Sequence, residues 1–237
     1  MKKLVSLSFA ALFLAACSES TAPTAANLAS AKPAATSVAT TSTYSDDFNS
    51  PSASSSVWSI YRVNSLPSTS NYPSGGAGYL GPFTNEALTL SYTYIAGANL
   101  TFDLYIIGTW DGAAGHKYGA DTWEVAATCG STVAYDFETS FSNKRTTKQN
   151  YPAPVGGALY PGRTQGLNTY DLGFSADPSQ NVTNTTVSSY STIYQLSVPS
   201  SALAACAGQT ITFTFHNPSQ ELQGVSDESW GLDNVSY

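Results

Sequence analysis

The sequence predicts an all-β protein, a two-sheet antiparallel sandwich with jelly-roll-like connections. Three observations predict it. Apolar and polar residues alternate with a period of two in one segment after another, which sends them to opposite faces of a strand. No segment sustains a capped apolar period of 3.6, and residues 201–205 allow one helical turn at most. The 237-residue chain is 42% hydrophobic and 12% aromatic but only 11% charged, against about 25% in an ordinary soluble domain. Helical bundles and coiled coils need Lys, Glu and Arg on their solvated faces, so this composition excludes them. The formal net charge of −7 speaks against nucleic acid as a partner, because a phosphate backbone selects basic surfaces.

The elements follow in chain order. Met1-Lys2-Lys3 is a short positive segment, and Leu4 to Leu14 is an apolar stretch too short to span a bilayer. It ends in Leu14-Ala15-Ala16-Cys17, which resembles the lipobox of bacterial lipoproteins. The resemblance implies a signal peptide over 1–16, cleavage before Cys17 and acylation of Cys17, which anchors the chain in a membrane. An ordinary secretory signal with a chance cysteine is the alternative. Ser18 stands where inner-membrane lipoproteins carry Asp, so the resemblance points to the outer membrane in a Gram-negative host. Residues 17–43 read as the lipidated Cys and a tether. Of the 26 residues from 18 to 43, 21 are Ala, Ser, Thr or Pro and none is aromatic, so the segment buries no core and reaches about 30 Å as a coil.

Composition changes at Tyr44-Ser45-Asp46-Asp47-Phe48, where the folded domain, 44–237, is expected to begin. Strands are expected where Leu88, Leu90, Tyr92 and Tyr94, then Leu100, Phe102, Leu104 and Ile106, alternate with polar residues. The same pattern recurs at Val133, Tyr135 and Phe137, and at Ile211, Phe213 and Phe215. Further strands are expected at 57–62, 121–127, 190–198 and 229–237. Gly-, Pro- and Asn-rich stretches at 64–86, 108–120 and 143–188 separate them. With Cys17 assigned to lipid, Cys129 and Cys206 remain as a pair for a disulfide in an oxidising compartment, with two free thiols as the alternative.

Catalytic signatures are sparse. Gly76-Ala77-Gly78-Tyr79-Leu80-Gly81 satisfies G-x-G-x-x-G, but Pro82 follows and no helix does, so the segment reads as a surface loop. His116 and His216 lie in different segments, and neither G-x-S-x-G nor H-E-x-x-H occurs. Asp136 and Glu138 share a strand face as some glycosidase carboxylates do, but Ala134 stands where those enzymes carry a further acid. An exposed acidic face is the better reading.

Two segments stand out: Phe102-Asp103-Leu104-Tyr105-Ile106-Ile107-Gly108-Thr109-Trp110-Asp111-Gly112 with Asp121-Thr122-Trp123-Glu124-Val125, and Leu222 to Val235 with its Asp227-Glu228-Ser229-Trp230-Gly231-Leu232-Asp233-Asn234. Together they resemble a family of bacterial extracellular β-sandwich domains, over residues 100–237 in order. Gly108 departs from the polar or acidic residue expected there. The closing Trp230-Gly231-Leu232-Asp233-Asn234-Val235 also resembles the last strand of carbohydrate-binding jelly rolls. That resemblance implies a structural Ca²⁺ held by Asp233 with acids of the opening strand, here Asp46 and Asp47. A second acidic cluster forms from Asp111, Asp121, Asp227 and Glu228 if the two motif loops meet, since Ca²⁺ takes six to eight oxygens. The alternative is that these acids cap turns.

Trp110 and Trp123, with Asp111, are candidates for a sugar platform, because aromatic faces pack on pyranose C–H groups; burial in the core is the alternative. Lys144, Arg145, Lys148 and Arg163 are four of the six basic residues in the domain. They form either a weak anion patch for acidic polysaccharide or lipopolysaccharide, or a solvated loop. The functional expectation is a surface lipoprotein with a calcium-stabilised sandwich that binds glycan or mediates adhesion. Its rivals are a structural or interaction module of the envelope with no small ligand, and a carbohydrate-active enzyme such as a glycosidase or lyase.

Overall fold

Period-two alternation becomes sheet pairing along most of the domain. A computed structural model describes residues 44–49, 57–60, 69–71, 78–113, 119–167, 191–219, 222–225 and 227–237, all within one unit, Thr41–Tyr237. The expected signal segment 1–16, Cys17, the expected tether and His116 lie outside the described residues.

In chain order the strands are β1 Ser45–Asp46, β2 Trp58–Ile60, β3 Thr69–Asn71, β4 Gly78–Phe83, β5 Leu88–Thr93, β6 Leu100–Gly108 and β7 Thr122–Cys129. They continue with β8 Thr132–Ser140, β9 Lys148–Gln149, β10 Tyr160–Pro161, β11 Ser191–Val198, β12 Thr210–His216 and β13 Glu228–Ser236. One sheet has the order β11-β6-β13-β4-β3, with β1 also paired to β13; the other has the order β2-β5-β12-β7-β8. β9 and β10 form a separate antiparallel ribbon. Every pairing is antiparallel, and the architecture is the expected all-β sandwich.

The core lies between the two sheets. Leu100, Phe102, Leu104 and Ile106 of β6 are buried from the first sheet, and Leu88, Leu90, Val125, Phe213 and Phe215 from the second. Their rings interdigitate: Phe102 meets Phe215 edge-on at 5.3 Å between centroids, and Trp123 meets Trp230 edge-on at 6.0 Å. Each such side chain contributes about 1.5–3 kcal/mol on leaving water. Cys129 at the end of β7 is bonded to Cys206 in the 3-10 turn Ala204–Cys206, with Cα atoms 5.7 Å apart. The bond closes a 77-residue separation, worth about 4 kcal/mol in the chain-entropy account.

The structure corrects two readings of the separators. Gly78–Phe83, expected in a loop, is β4, paired with β13 on one side and β3 on the other. Its glycines serve close approach rather than turning: a Cβ on Gly78 would lie 2.3 Å from the Phe48 carbonyl oxygen. The 143–188 stretch likewise contains β9 and β10. A third correction concerns β8. Pairing jumps from Ala127↔Tyr135 to Thr128↔Val133, so Ala134 is the extra residue of a bulge. Val133 leaves the face of Tyr135 and Phe137 and is 64% exposed.

Candidate functional site

The two motif segments do meet. Thr109 N–H donates to the Asp227 carbonyl at 2.8 Å, and Trp110 Nε1 donates to the Ser229 carbonyl at 3.0 Å. Gly108, where a polar or acidic residue was expected, ends β6 with φ +90°, and a Cβ there would fall 1.7 Å from the Asp227 carbonyl oxygen. Only glycine lets the second loop close over the first.

This closure brings Asp111, Asp121 and Asp227 into electrostatic range of Glu228. Glu228 is only 2% exposed. Burial, followed by the charge of Asp121 and then of Asp227 and Asp111, pushes its carboxyl up to about 8, against a lowering hydrogen bond from the Gln223 N–H. The other carboxylates have donors of their own. Asp121 accepts from the N–H groups of Asp111 and Gly112, Asp227 accepts from the Thr109 hydroxyl, and Asp111 pairs with the Lys144 ammonium. A general acid needs a raised pKa of this kind, but a carboxyl so buried is out of a substrate's reach.

The carboxylates implied at the chain ends are arranged differently. β1 lies against β13 as expected, with Asp46 opposite Val235. Asp46 accepts from the Tyr44 hydroxyl and the Phe48 N–H, both at 2.8 Å, and exposed Asp47 accepts from the Asn49 N–H at 3.2 Å. Asp233 lies opposite Asp103 on β6 and accepts from the Tyr105 hydroxyl at 2.7 Å. These three acids cap turns and accept from hydroxyls. Among the described residues no group of three or more His, Cys, Asp or Glu side chains is placed to hold a metal ion.

The sugar platform is also corrected. Trp110 and Trp123 are both fully buried, Trp110 edge-on to Phe141 and Trp123 between Phe102, Phe215 and Trp230. Neither presents a face to a ligand. Trp58 and Trp230 are buried as well, so all four tryptophans serve the core.

An open site lies instead beside the β9–β10 ribbon. Buried amides fasten this ribbon to the first sheet. Asn143 Nδ2 donates to the carbonyls of Ile106 and Gly108 at 3.0 and 2.8 Å, and its Oδ1 accepts from the Thr192 hydroxyl at 2.6 Å. Gln149 Oε1 accepts from the Arg163 N–H at 2.9 Å and the Tyr194 hydroxyl at 3.1 Å. Gly162 closes the turn: its N–H donates to the Thr147 carbonyl at 3.0 Å, and a Cβ would lie 2.1 Å from the Lys144 carbonyl oxygen.

Between these arms runs a groove of about 400 Å³ lined by Arg145, Arg163, Thr164 and Leu167, among others. Arg163 is held in the left-handed region at φ +67°, with its Nε donating to the Asn143 carbonyl at 2.5 Å. Arg145 is exposed, and Leu167 is 66% exposed. The uneven basic composition pointed to this place. Asn143 and Gln149 were missed, because polar residues in a Gly/Pro-rich stretch read as loop surface.

No protein-family profile matches the chain, and no curated protein does. Among solved structures the chain is similar to a Paenibacillus sp. cycloisomaltooligosaccharide glucanotransferase complexed with cycloisomaltoheptaose, at 12% identity and a TM-score of 0.29. The match covers 82% of this chain and 18% of that one. At that score the likeness carries no argument about function.

Proposed function

We propose that this protein is a lipid-anchored module of the bacterial cell envelope, tethered through Cys17, in which the sandwich binds surface glycan or mediates adhesion. One observation supports the binding reading above the others: a preformed groove of about 400 Å³, in the size range of small-molecule sites, with part-buried hydrogen bonds fixing Arg163 on its wall. A glycan array probed with the full-length chain, with and without EDTA, tests it. Binding to a defined set of glycans is the expected result; an array with no signal removes the reading. The anchor is tested separately, since Cys17→Ala should leave an uncleaved precursor that takes up no acyl label.

A second reading, a structural or interaction module without a small ligand, draws support from the burial of all four tryptophans. Calcium enters our proposal as a stabiliser of the folded domain, with Asp46, Asp47 and Asp233, and secondly Asp111, Asp121, Asp227 and Glu228, as the acids that would have to gather around it. Thermal unfolding in EDTA, Mg²⁺ and Ca²⁺ tests it, with Ca²⁺ raising the midpoint and Mg²⁺ substituting poorly.

A further inference from the structure

We propose that the groove beside the β9–β10 ribbon is a site for an anionic saccharide, whose carboxylate or phosphate is held by Arg145 and Arg163 and whose C–H face packs on Leu167. The inference rests on the glycan reading above and names the class of glycan.

Charge segregation is the first support. The domain carries fifteen Asp and Glu against six Lys and Arg, and four of those six lie between 144 and 163. The basic groups are thus concentrated in one short stretch of an otherwise acidic domain, which favours an anion there. Lys144 pairs with Asp111, and the positive groups lining the groove are the two arginines, Arg163 with protein partners of its own.

Preorganisation is the second. Arg163 is fixed at both ends: its single backbone N–H is shared between Gln149 Oε1 and the Ser142 carbonyl, and its side-chain Nε donates to the Asn143 carbonyl. Its left-handed backbone, shared by Gln165 at φ +64° two residues on, is a conformation that persists only where the surroundings enforce it. A guanidinium fixed in this way loses little entropy on binding. Exposed Arg145 supplies a second fork from the opposite arm, and planar forks match carboxylate and phosphate geometry.

The third support is the apolar side. Leu167 is among the most exposed large hydrophobic residues described, at 66%, and it lines the same groove as the two guanidinium groups. A sugar combines an apolar C–H face with polar substituents, whereas a free inorganic anion would make no use of the leucine.

The test uses the purified full-length chain against polygalacturonate, a phosphomannan and neutral dextran, over a range of NaCl. The expected result is binding to one or both anionic polymers and not to dextran, weakening as salt rises; the two anionic arms separate carboxylate from phosphate recognition. Arg145→Gln and Arg163→Gln should each weaken binding about tenfold, the loss of one charge-assisted contact. Arg163→Lys should recover little, because it keeps the charge and loses the fork. Lys148→Gln removes the same charge from the same ribbon without lining the groove, and should change affinity less than threefold. Arg145→Gln carries the test should Arg163→Gln disturb the fold, since its side chain is exposed. If Lys148→Gln and Arg145→Gln weaken binding equally, attraction is diffuse and the site is refuted. If dextran binds as well as the acidic polymers and the arginine variants are neutral, the anionic specificity fails while the glycan reading stands. If the chain binds no glycan on any surface, both fall.

Discussion

Two neighbouring regions of this molecule carry opposite charge and opposite degrees of burial. The junction of the motif loops gathers Asp111, Asp121, Asp227 and Glu228 beside Trp110, and it is packed into the sandwich. The ribbon from 144 to 167 gathers Lys144, Arg145, Lys148 and Arg163 and leaves a groove open to solvent. The junction has the stronger sequence signature, yet its aromatic and acidic residues are committed to closing one loop over another. The ribbon has a weaker signature, its uneven basic charge, yet Arg145, Lys148 and Leu167 are exposed on it. A motif rich in Trp, Asp and Gly can thus mark a demanding piece of packing, while a groove open to solvent stands in a stretch that reads as spacer.

The comparison predicts different costs for truncating a large side chain in each region. Trp110→Ala should destabilise by about 3–5 kcal/mol, as expected for a fully buried aromatic that also donates a hydrogen bond. Leu167→Ala should change stability by less than about 0.5 kcal/mol while weakening saccharide binding. Urea unfolding of both variants measures this. A small cost at Trp110 would mean that the junction is not part of the cooperative core.

The second prediction concerns pH. The Glu228 carboxyl is raised from 4.5 to about 8 in the folded state, by burial first and by its acidic neighbours second. The folded protein therefore holds this proton more tightly than the unfolded chain does. The stability it contributes is fully present below about pH 4.5 and is lost as pH rises towards 8, at up to about 1.4 kcal/mol per pH unit. Unfolding free energies measured between pH 4 and 9 should fall along this window in the wild type and fall less in Glu228→Gln. A cation at the junction favours the ionised form, so Ca²⁺ that binds there should flatten the wild-type slope. Parallel slopes for the two proteins in EDTA would show that Glu228 is solvated as an ordinary surface acid.

Gly162→Ala probes how the groove is built. The added Cβ must displace the Lys144 carbonyl, 2.1 Å away, and relief of such a clash costs about 1–3 kcal/mol. Since the two arms of the groove would move apart, binding of acidic saccharide should fall along with stability. Unchanged affinity at normal protein concentration would separate the groove's shape from its function.

How far these regions were legible follows from where their residues get their order. β5, the first half of β6, and β12 were readable because strands with one polar face write their packing into alternation. β4 was not, because Gly78 and Gly81 are required by the close approach of Phe48 and of β13, partners distant in sequence. The meeting of the motif loops was legible as a condition, and Gly108 supplies the space that fulfils it. Burial of Trp110 was not legible: its position before Asp111-Gly112 looks like a loop edge, and only the closure by residues 227–229 covers it. Asn143 and Gln149 are polar residues whose buried hydrogen bonds reach β6, β11 and the Arg163 turn. No local pattern records such long-range partners.

The smallest expected effect lies on the seam between the two regions. Backbone pairing joins Asp111 to Ser142, the Asn143 N–H donates to the Trp110 carbonyl at 2.9 Å, and the Ala113 N–H donates to the Lys148 carbonyl at 2.7 Å. Across this seam the Lys144 ammonium pairs with the Asp111 carboxylate, with 36% and 22% of the two side chains exposed. An ion pair this accessible is screened by water and salt, and its coupling should be about 0.5–1 kcal/mol. The double-mutant cycle of Lys144→Ala and Asp111→Ala isolates that coupling from the separate losses of each side chain. It should shrink as NaCl rises from 0.05 to 1 M, whereas the backbone bonds of the seam should hold the two regions together throughout. A coupling that survives 1 M salt would place the pair in a drier environment than its exposure implies, and the acidic junction and basic ribbon would then be one electrostatic unit rather than two regions that touch.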